Sequence, residues 1–294
     1  MAIKRRWMRY GITSSLAMAS LCTGITAASA APLEAPRYSS FGMAVAGGKP
    51  SLFANAVANG LPVRWARLYV TNTVPASFTA FPGAAAALQA GETPWLSIWL
   101  DPTQLAAGTF DAALAQFATT VPTGVRLTLL HEPSTHAKNI SIAVYKAAYE
   151  HGAAVVHAAN PAVILGPIDV QFNVIRYHFL DTLDPRYVQF VGMDAYDGIN
   201  GVAPGKSLQA VASAALAHLR AKFPLVPIGF AEFNSSRTVG RAQWVADALA
   251  WGQSVGATPM LLFTAQPIYT LTAQEQKDVA TLIDVPVVPG LPRN

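Results

Sequence analysis

The sequence has a single cysteine, Cys22, and few charged residues. Charged residues make up 12% of the 294 residues, and hydrophobic residues make up 52%. This composition excludes an intrinsically disordered chain, because there is ample apolar material for a large core. Cys22 lies within the first 30 residues. The remainder of the chain therefore cannot form a disulfide within itself and relies on its core for stability.

The sequence also lacks an excess of positive charge beyond residue 30. The first 30 residues contain Lys4, Arg5, Arg6 and Arg9 and no acidic residue. They account for the formal net charge of +4, because the other 16 of the 20 basic residues are balanced by the 16 acidic ones. This balance excludes an extended basic surface and, with it, nucleic-acid binding as a function class.

Residues 1–30 have the pattern of an export signal. A basic start is followed by an apolar run from Gly11, and Ala28-Ser29-Ala30 fits a small-residue cleavage site. We expect a mature chain from Ala31 with no membrane association, secreted to the medium or the cell surface. An uncleaved membrane anchor is the alternative, but the run is weakly hydrophobic for a span. Export without mature cysteines favours a bacterial source, and the Arg5-Arg6 pair leaves open the choice between general and twin-arginine export.

Motifs for metal ions and cofactors are missing or incomplete. His131 and His136 resemble a zinc-protease pair, but they are five residues apart and Pro133 interrupts the helix that such a site needs. Gly252–Gly256 matches a serine nucleophile elbow, yet no histidine follows His218 to complete the usual order of the triad. No glycine-rich phosphate loop opens a predicted helix. We therefore predict no metal and no cofactor.

From residue 38 onward, strand-like and helix-like runs alternate without a linker. Eight βα units in the mature chain predict one (β/α)8 TIM barrel over residues 31–294, expected to be monomeric. An open doubly wound sheet is the alternative. The predicted strands are 41–46, 64–70, 95–100, 125–132, 163–168, 187–193, 226–233 and 260–264, and the predicted helices are 51–59, 78–90, 110–120, 140–159, 174–183, 207–223, 241–252 and 273–282.

Two of the predicted strands end in glutamate. Val125–Leu130 is an aliphatic run followed by His131-Glu132-Pro133, and Pro133 should stop the strand with Glu132 at its carboxyl end. Val226–Phe233 carries Glu232 in the same position. In parallel α/β folds the carboxyl ends of the strands bind ligands. Two carboxylates across such a cleft suit glycosidic bond cleavage, with one acting as acid and the other as nucleophile or base. The alternative is that either glutamate is a solvated loop residue.

These segments resemble the retaining glycoside hydrolases of clan A. His131-Glu132-Pro133 is similar to the Asn-Glu-Pro acid/base motif of that clan, with histidine in place of asparagine as in the mannanase-type family 26. Ile228–Phe233 resembles the nucleophile strand, and Val191–Tyr196 resembles the sixth strand with its tyrosine. The resemblance also implies a sugar-stacking tryptophan after strand eight, where this chain has Phe263-Thr264-Ala265-Gln266.

The resemblance implies roles for the residues around these motifs. Glu132 is the expected acid/base, Glu232 the nucleophile, and His131 a neighbour that binds substrate or orients Glu132. Tyr196 is expected to donate a hydrogen bond to Glu232. Arg67 is expected either to keep Glu232 ionised or to be a surface cation or structural ion pair.

Three further residues are candidates for substrate binding. Trp99 and Asp101, after strand three, are a candidate sugar platform and a candidate acceptor for a sugar hydroxyl. Trp99 fits the core equally well. Asp194 is expected to contact sugar, with capping of its loop as the alternative.

The sequence thus predicts a secreted enzyme that hydrolyses a β-linked poly- or oligosaccharide with retention. A glycan-binding barrel without activity and a structural exoprotein are the alternatives. In a retaining enzyme the two carboxyl groups should lie about 5–5.5 Å apart, whereas about 6.5–9.5 Å would indicate inversion. We expect the pKa of Glu132 to be raised further than that of Glu232, because Glu132 faces an ionised partner.

Cleavage of the export signal can be tested directly. We expect the secreted protein to begin at Ala31, because the small-residue site ends at Ala30. N-terminal sequencing of protein recovered from the culture medium is the measurement. A full-length chain retained in the membrane fraction would contradict the prediction.

Overall fold

The structure is a computed structural model that describes residues 40–45, 50–136, 140–199 and 202–284. The predicted export signal in residues 1–30 lies outside the described residues, as do residues 285–294. No helix in the described ranges combines the length and the apolar character that crossing a membrane requires.

One parallel sheet curls through the described part of the chain. Its strands pair in the order β5-β4-β3-β2-β1-β9-β8-β7-β6. Because the first strand pairs on one side with the second and on the other with the last, the sheet bends round upon itself. The strands are β1 (Phe41–Ala44), β2 (Trp65–Thr71), β3 (Thr93–Trp99), β4 (Arg126–Leu129), β5 (Ile164–Leu165), β6 (Ile168–Val170), β7 (Val191–Asp197), β8 (Ile228–Ser235) and β9 (Met260–Phe263).

The two shortest strands are the two halves of one barrel strand. Gly166 and Pro167 separate β5 from β6, and β5 pairs with β4 while β6 pairs with β7. A side chain at Gly166 would place its Cβ 2.2 Å from the carbonyl oxygen of Phe190, so only glycine fits there. Counted this way, the sheet has eight parallel strands and closes into a barrel. The (β/α)8 prediction is confirmed.

Helices cover the outside of this barrel and follow the strands in alternation. Ser141 and Ser207 accept hydrogen bonds from backbone N–H groups and so cap the two longest helices. The helices are α1 (Pro50–Ala58), α2 (Ala84–Gln89), α3 (Pro102–Ala106), α4 (Asp111–Thr119), α5 (Ile142–Ala159), α6 (Gln171–Tyr177), α7 (Leu208–Lys222), α8 (Arg241–Ser254) and α9 (Ala273–Asp284).

Two helices differ clearly from the bounds that the sequence predicts. The helix predicted over 78–90 is a 3₁₀ turn at Phe78–Ala80 followed by α2, because Pro82 and a left-handed Gly83 break it. The helix predicted over 174–183 begins at Gln171 instead and ends before His178, whose φ of 56° is left-handed.

The sixth barrel strand, β7, runs further than the sequence predicts. The prediction ends at Met193, but β7 continues through Asp194 and Tyr196 to Asp197, with every residue buried. Acidic residues are usually read as loop residues because an unpaired buried charge is costly. Here Asp194 pairs with Arg67 and Asp197 pairs with Arg237, so both can lie inside the fold.

Large side chains fill the amino-terminal end of the barrel. Trp95 is fully buried and meets the ring of Phe190 edge to face at 4.8 Å. The guanidinium of Arg126 lies over the ring of Phe190 at 4.8 Å and over that of Trp65 at the same distance. The indole N–H of Trp95 donates to Thr128 at 3.0 Å. This end is therefore a packed core, which leaves the carboxyl end of the strands for ligands.

Glycine at position 192 allows this packing. A Cβ there would lie 2.6 Å from Ile168 and 2.9 Å from the ring of Trp95. We expect Gly192→Ala to lower the free energy of unfolding by about 1–3 kcal/mol through overpacking. Gly205→Ala is the control, because nothing lies within 4 Å of its Cβ position. Urea denaturation of both variants is the measurement, and equal stability would contradict the packing described here.

Candidate active site

Glu132 and Glu232 line one cleft at the carboxyl end of the barrel. The cleft has a volume of about 590 Å³. Glu132 follows β4, and Glu232 lies within β8, the seventh barrel strand, as the sequence predicts. The cleft is lined by Tyr69, His131, Glu132, Tyr196, Gly198, Ile199, Val202, Glu232, Ser236, Phe263, Gln266, Ile268 and Tyr269.

The carboxylates in this cleft are closely spaced. One oxygen from each of Glu132, Asp194 and Glu232 lies within 4.8 Å of the other two. For the two glutamates this approach of one oxygen from each is compatible with the carboxyl spacing of about 5–5.5 Å that a retaining pair needs. Three carboxylates at this distance also form a set that could bind a cation, but a guanidinium already lies among them.

That guanidinium belongs to Arg67, which is fully buried on β2. Its Nη1 lies 2.9 Å from Asp194 and 3.1 Å from Glu232, and its Nε donates to Ser97 at 3.2 Å. Burial opposes its charge, but the neighbouring carboxylates and the hydroxyl of Tyr69 outweigh burial and raise the pKa of Arg67. Arg67 is thus a permanent buried cation and not a surface one, and it pairs with both acids.

Two tyrosines hold the carboxylate of Glu232. The hydroxyl of Tyr69 donates to Oε1, and the hydroxyl of Tyr196 donates to Oε2. The sequence-based expectation for Tyr196 is confirmed. Tyr69 was not predicted to lie in the site, although its position in the sequence could have indicated this. It follows Arg67 by two residues on β2, so both side chains lie on the same face of the strand.

Glu132 lies on a strained connection rather than at the end of a strand. The sequence predicts a strand to Glu132, but β4 ends at Leu129, and Leu130 and Glu132 have left-handed φ angles of 54° and 51°. Such a conformation costs about 1–3 kcal/mol for a residue other than glycine. Backbone hydrogen bonds from Leu130 to Ile98 at 2.9 Å and from Glu132 to Ile168 at 2.8 Å hold the connection between neighbouring strands.

Both glutamates have a raised pKa. Burial and the charge of Glu232 raise the pKa of Glu132 to about 7. Burial and the charge of Asp194 raise the pKa of Glu232 to about 8, against the opposing effects of Arg67 and Tyr69. The expectation that Glu132 has the more raised pKa is therefore wrong. Glu232 is the more deeply buried of the two glutamates. It also lies next to the carboxylate of Asp194, a contact that the sequence did not predict.

Asp194 lies beneath the cleft and does not line it. Its side chain is fully buried, and its pKa is raised by burial and by Glu132 but lowered by Arg67. The sequence-based expectation that Asp194 contacts sugar is therefore wrong, because no part of it is exposed. Its position instead compensates the charge of Arg67.

His131 lines the cleft as an uncharged side chain. Burial, Arg67 and His136 lower its pKa to about 3. Its ring meets those of Tyr69 and Trp99 edge to face, at 5.7 Å from each. Its Nδ1 is buried and has no hydrogen-bond partner among the described residues. His131 thus lies beside Glu132, where it was predicted, and its Nδ1 is available for a further hydrogen bond.

Trp99 and Asp101 do not line the cleft, although the ring of Trp99 contacts His131, which does. The ring of Trp99 stacks on His136 at 4.1 Å, and both residues border a separate cavity of about 240 Å³ that Asp101 also lines. The carboxylate of Asp101 accepts a hydrogen bond from the backbone of Gln104 at 2.8 Å and so caps α3. Their expected roles as sugar platform and hydroxyl acceptor are not met in the cleft that holds the glutamates.

Aromatic residues at the end of β9 and in the turn after it form an aromatic wall of the cleft, in place of the tryptophan that the resemblance implies. Phe263 and Tyr269 line the cleft, and the ring of Tyr269 lies 5.2 Å from that of Tyr196. Asn234, fully buried, donates to the backbone carbonyls of Phe263 at 2.6 Å and of Tyr269 at 2.7 Å. Tyr269 was not predicted, because it comes from a 3₁₀ turn six residues past the strand.

Comparisons with known proteins find similarity at the level of structure. No protein-family model matches the chain, and no curated protein matches it. A mannanase from Bacillus subtilis aligns over 83% of this chain and 84% of its own, with a TM-score of 0.56 and 14% identity. A GH53 catalytic domain from Ignisphaera aggregans aligns over 85% and 98%, with a TM-score of 0.54 and 13% identity.

An endo-β-1,4-glucanase from Xanthomonas axonopodis pv. citri aligns over 82% of this chain and 99% of its own, with a TM-score of 0.53 and 11% identity. At such identities the likeness concerns the fold. This chain therefore has the barrel fold that these glycoside hydrolases share.

Proposed function

We propose that this protein is a secreted, monomeric glycoside hydrolase that cleaves β-linked poly- or oligosaccharides with retention of configuration. The observation that carries the proposal is the close approach of Glu132 and Glu232 in one cleft, where one carboxylate oxygen of each lies within 4.8 Å of the other. A retaining pair needs its carboxyl groups about 5–5.5 Å apart, and this approach supports such a spacing. Secretion rests on the signal pattern of residues 1–30.

In the first step Glu232 attacks the anomeric carbon while Glu132 donates its proton to the departing glycosidic oxygen. Tyr69, Tyr196 and Arg67 all direct positive charge or O–H groups at Glu232. They favour its ionised form against burial and the charge of Asp194, and the step proceeds from the state of the pair in which its single proton lies on Glu132. The arrangement thus divides the roles of nucleophile and acid between two residues of the same type.

In the second step the glycosyl–enzyme ester at Glu232 is hydrolysed. Glu132, ionised after giving up its proton, takes a proton from water as the water attacks the anomeric carbon. The raised pKa of Glu132 serves both steps, because a group that titrates near neutral pH can give and accept a proton with similar ease. Glu232 leaves as a carboxylate that its donors again stabilise.

The walls of the cleft favour a carbohydrate. Phe263 and Tyr269 provide apolar ring surface, and His131 and Gln266 provide polar groups at the same opening. Sugars present both kinds of surface, with C–H faces and hydroxyl edges. A mannanase-type, family 26 relationship is part of the proposal, and the histidine that precedes Glu132 supports it.

A substrate panel tests the proposed function. Purified protein is incubated with β-mannan, β-glucan, β-galactan and xylan, and the release of reducing ends is measured. We expect release from at least one polysaccharide, and proton NMR of the first product should show the β-anomer. Binding without release would favour the glycan-binding barrel. An α-anomer as first product would contradict retention.

The two glutamates are expected to respond differently to substitution. Glu232→Ala should abolish turnover of every substrate, because no covalent intermediate can form. Glu132→Ala should lose about 10²–10⁴-fold on polysaccharide but retain activity on aryl glycosides, whose leaving groups need little protonation. Asp278→Ala, an exposed residue on α9, is the control for activity. Steady-state rates on both substrate types decide the assignment, and full activity of both glutamate variants would end it.

The raised pKa values predict the pH dependence. The two glutamates should titrate as a pair with apparent pKa values of about 7 and about 8. Below the lower value the pair holds two protons, so the nucleophile is protonated, and above the upper value the pair holds none, so the acid has lost its proton. We therefore expect kcat/KM on polysaccharide to be maximal between these values, in contrast to an optimum near pH 5.

Tyr69 provides a specific test of this profile. Tyr69→Phe removes a hydrogen bond that favours the ionised form of Glu232, so its pKa should rise. The acidic limb should then move to higher pH by about one unit. Tyr177→Phe, on α6 at the outside of the barrel, is the control. An unchanged acidic limb in Tyr69→Phe would show that this hydroxyl does not tune the nucleophile.

A further inference from the structure

Two histidines and one aspartate converge on the outside of the barrel, away from the cleft. His178 Nδ1 lies 2.8 Å from Asp181 Oδ2. His218 Nε2 lies 2.9 Å from Asp181 Oδ1 and 3.0 Å from Oδ2. One ligand atom from each of the three residues lies within 4.8 Å of the others. The two imidazole rings are 5.5 Å apart, so both approach one carboxylate from different sides.

The three residues come from two parts of the chain, because His178 and Asp181 are only three residues apart. His178 follows α6, Asp181 lies in the 3₁₀ turn Leu180–Thr182, and His218 lies near the end of α7. Each helix of a βα unit returns towards the amino-terminal end of the next strand, so this cluster lies at the opposite end of the barrel from the glutamates. That end of a barrel serves stability rather than catalysis.

The other histidines on the outer helices have simpler surroundings. His151 pairs with Asp111 at 2.8 Å, and His157 pairs with the amide of Gln189 at 3.2 Å. Among the described residues, Asp181 is where two imidazoles meet one carboxylate. His178 reaches it from a left-handed backbone with φ of 56°, an uncommon conformation for a residue other than glycine.

We propose that His178, Asp181 and His218 bind a divalent transition-metal ion of the zinc class. Imidazole nitrogen and carboxylate oxygen are ligands that Zn²⁺ prefers, at about 2.0–2.2 Å. Tetrahedral ligands at this distance are separated by about 3.3 Å, so the present separations of 2.8–3.0 Å need only a small expansion. The side chain of His178 is 52% exposed, which leaves the fourth position open to water.

The proposed ion ties the turn after α6 to α7. Imidazole binds a metal in its neutral form, so two imidazole ligands and one carboxylate ligand together contribute a single negative charge, which a divalent ion more than neutralises. A ligand that binds only the folded state stabilises that state in proportion to its affinity and concentration. The ion should therefore raise the melting temperature without altering the cleft, and its role is structural.

Titration of the metal-free, untagged protein with ZnCl₂ tests this proposal. Isothermal titration calorimetry should show one equivalent bound, and His178→Ala and His218→Ala should each lower the affinity at least about 100-fold, because each removes a ligand. His151→Ala is the matched control, since it removes a partly buried histidine paired with a single aspartate. It should bind like the parent protein.

Two further measurements distinguish a metal-binding site from a cluster that is held only by hydrogen bonds. With zinc about 100-fold above its Kd, the melting temperature of the parent protein should rise by about 5 °C, and that of His178→Ala should not. Co²⁺ in place of zinc should give visible absorption bands of a tetrahedral site. Absence of stoichiometric zinc binding, or equal binding by the His178→Ala/His218→Ala double variant, would overturn the proposal.

Discussion

The candidate site depends on one buried cation. Arg67 has no exposed surface, and its guanidinium faces both Asp194 and Glu232. Three carboxylates this close would repel one another strongly in a medium of low polarity, and removal of one partner from a buried pair typically costs about 3–5 kcal/mol. Arg67 therefore allows the acids to approach, and Tyr69 and Tyr196 complete the shell around Glu232. Without the cation, the spacing on which the proposed chemistry rests would not form.

The sequence predicted those features that depend on local pattern. Aliphatic runs broken by glycine and proline indicated the strands, and Glu132 and Glu232 stood out because each closes such a run. What it missed depends on contacts between distant segments. Asp194 was assigned to the sugar because its partner Arg67, 127 residues away, was not paired with it. Tyr69 on β2 and Tyr269 after β9 reach the cleft only once β1 has paired with both of these strands.

The order of the pKa values of Glu132 and Glu232 shows why electrostatic properties are harder to predict from a sequence than the positions of residues. If Glu132 and Glu232 faced only each other, the pKa of Glu132, the acid, would be raised further than that of Glu232, as the sequence suggested. The structure adds Asp194 beneath Glu232 and removes water from both, so the balance among three acids and one guanidinium sets each value. Such a balance is a property of the assembled group and does not belong to any of its members.

The packed amino-terminal end of the barrel also determines how molecules can enter and leave. Trp95, Phe190 and Arg126 close the interior from below, so in the part of the chain that the structure describes the cleft opens at the carboxyl end of the strands. Water for hydrolysis must arrive, and products must depart, through the same mouth that admits the glycan. A long chain therefore has to lie across the opening, because it cannot thread through the barrel. Substitutions at the rim, for example at Ile268 or Val202, therefore affect the entry of substrate, the access of water and the release of product together.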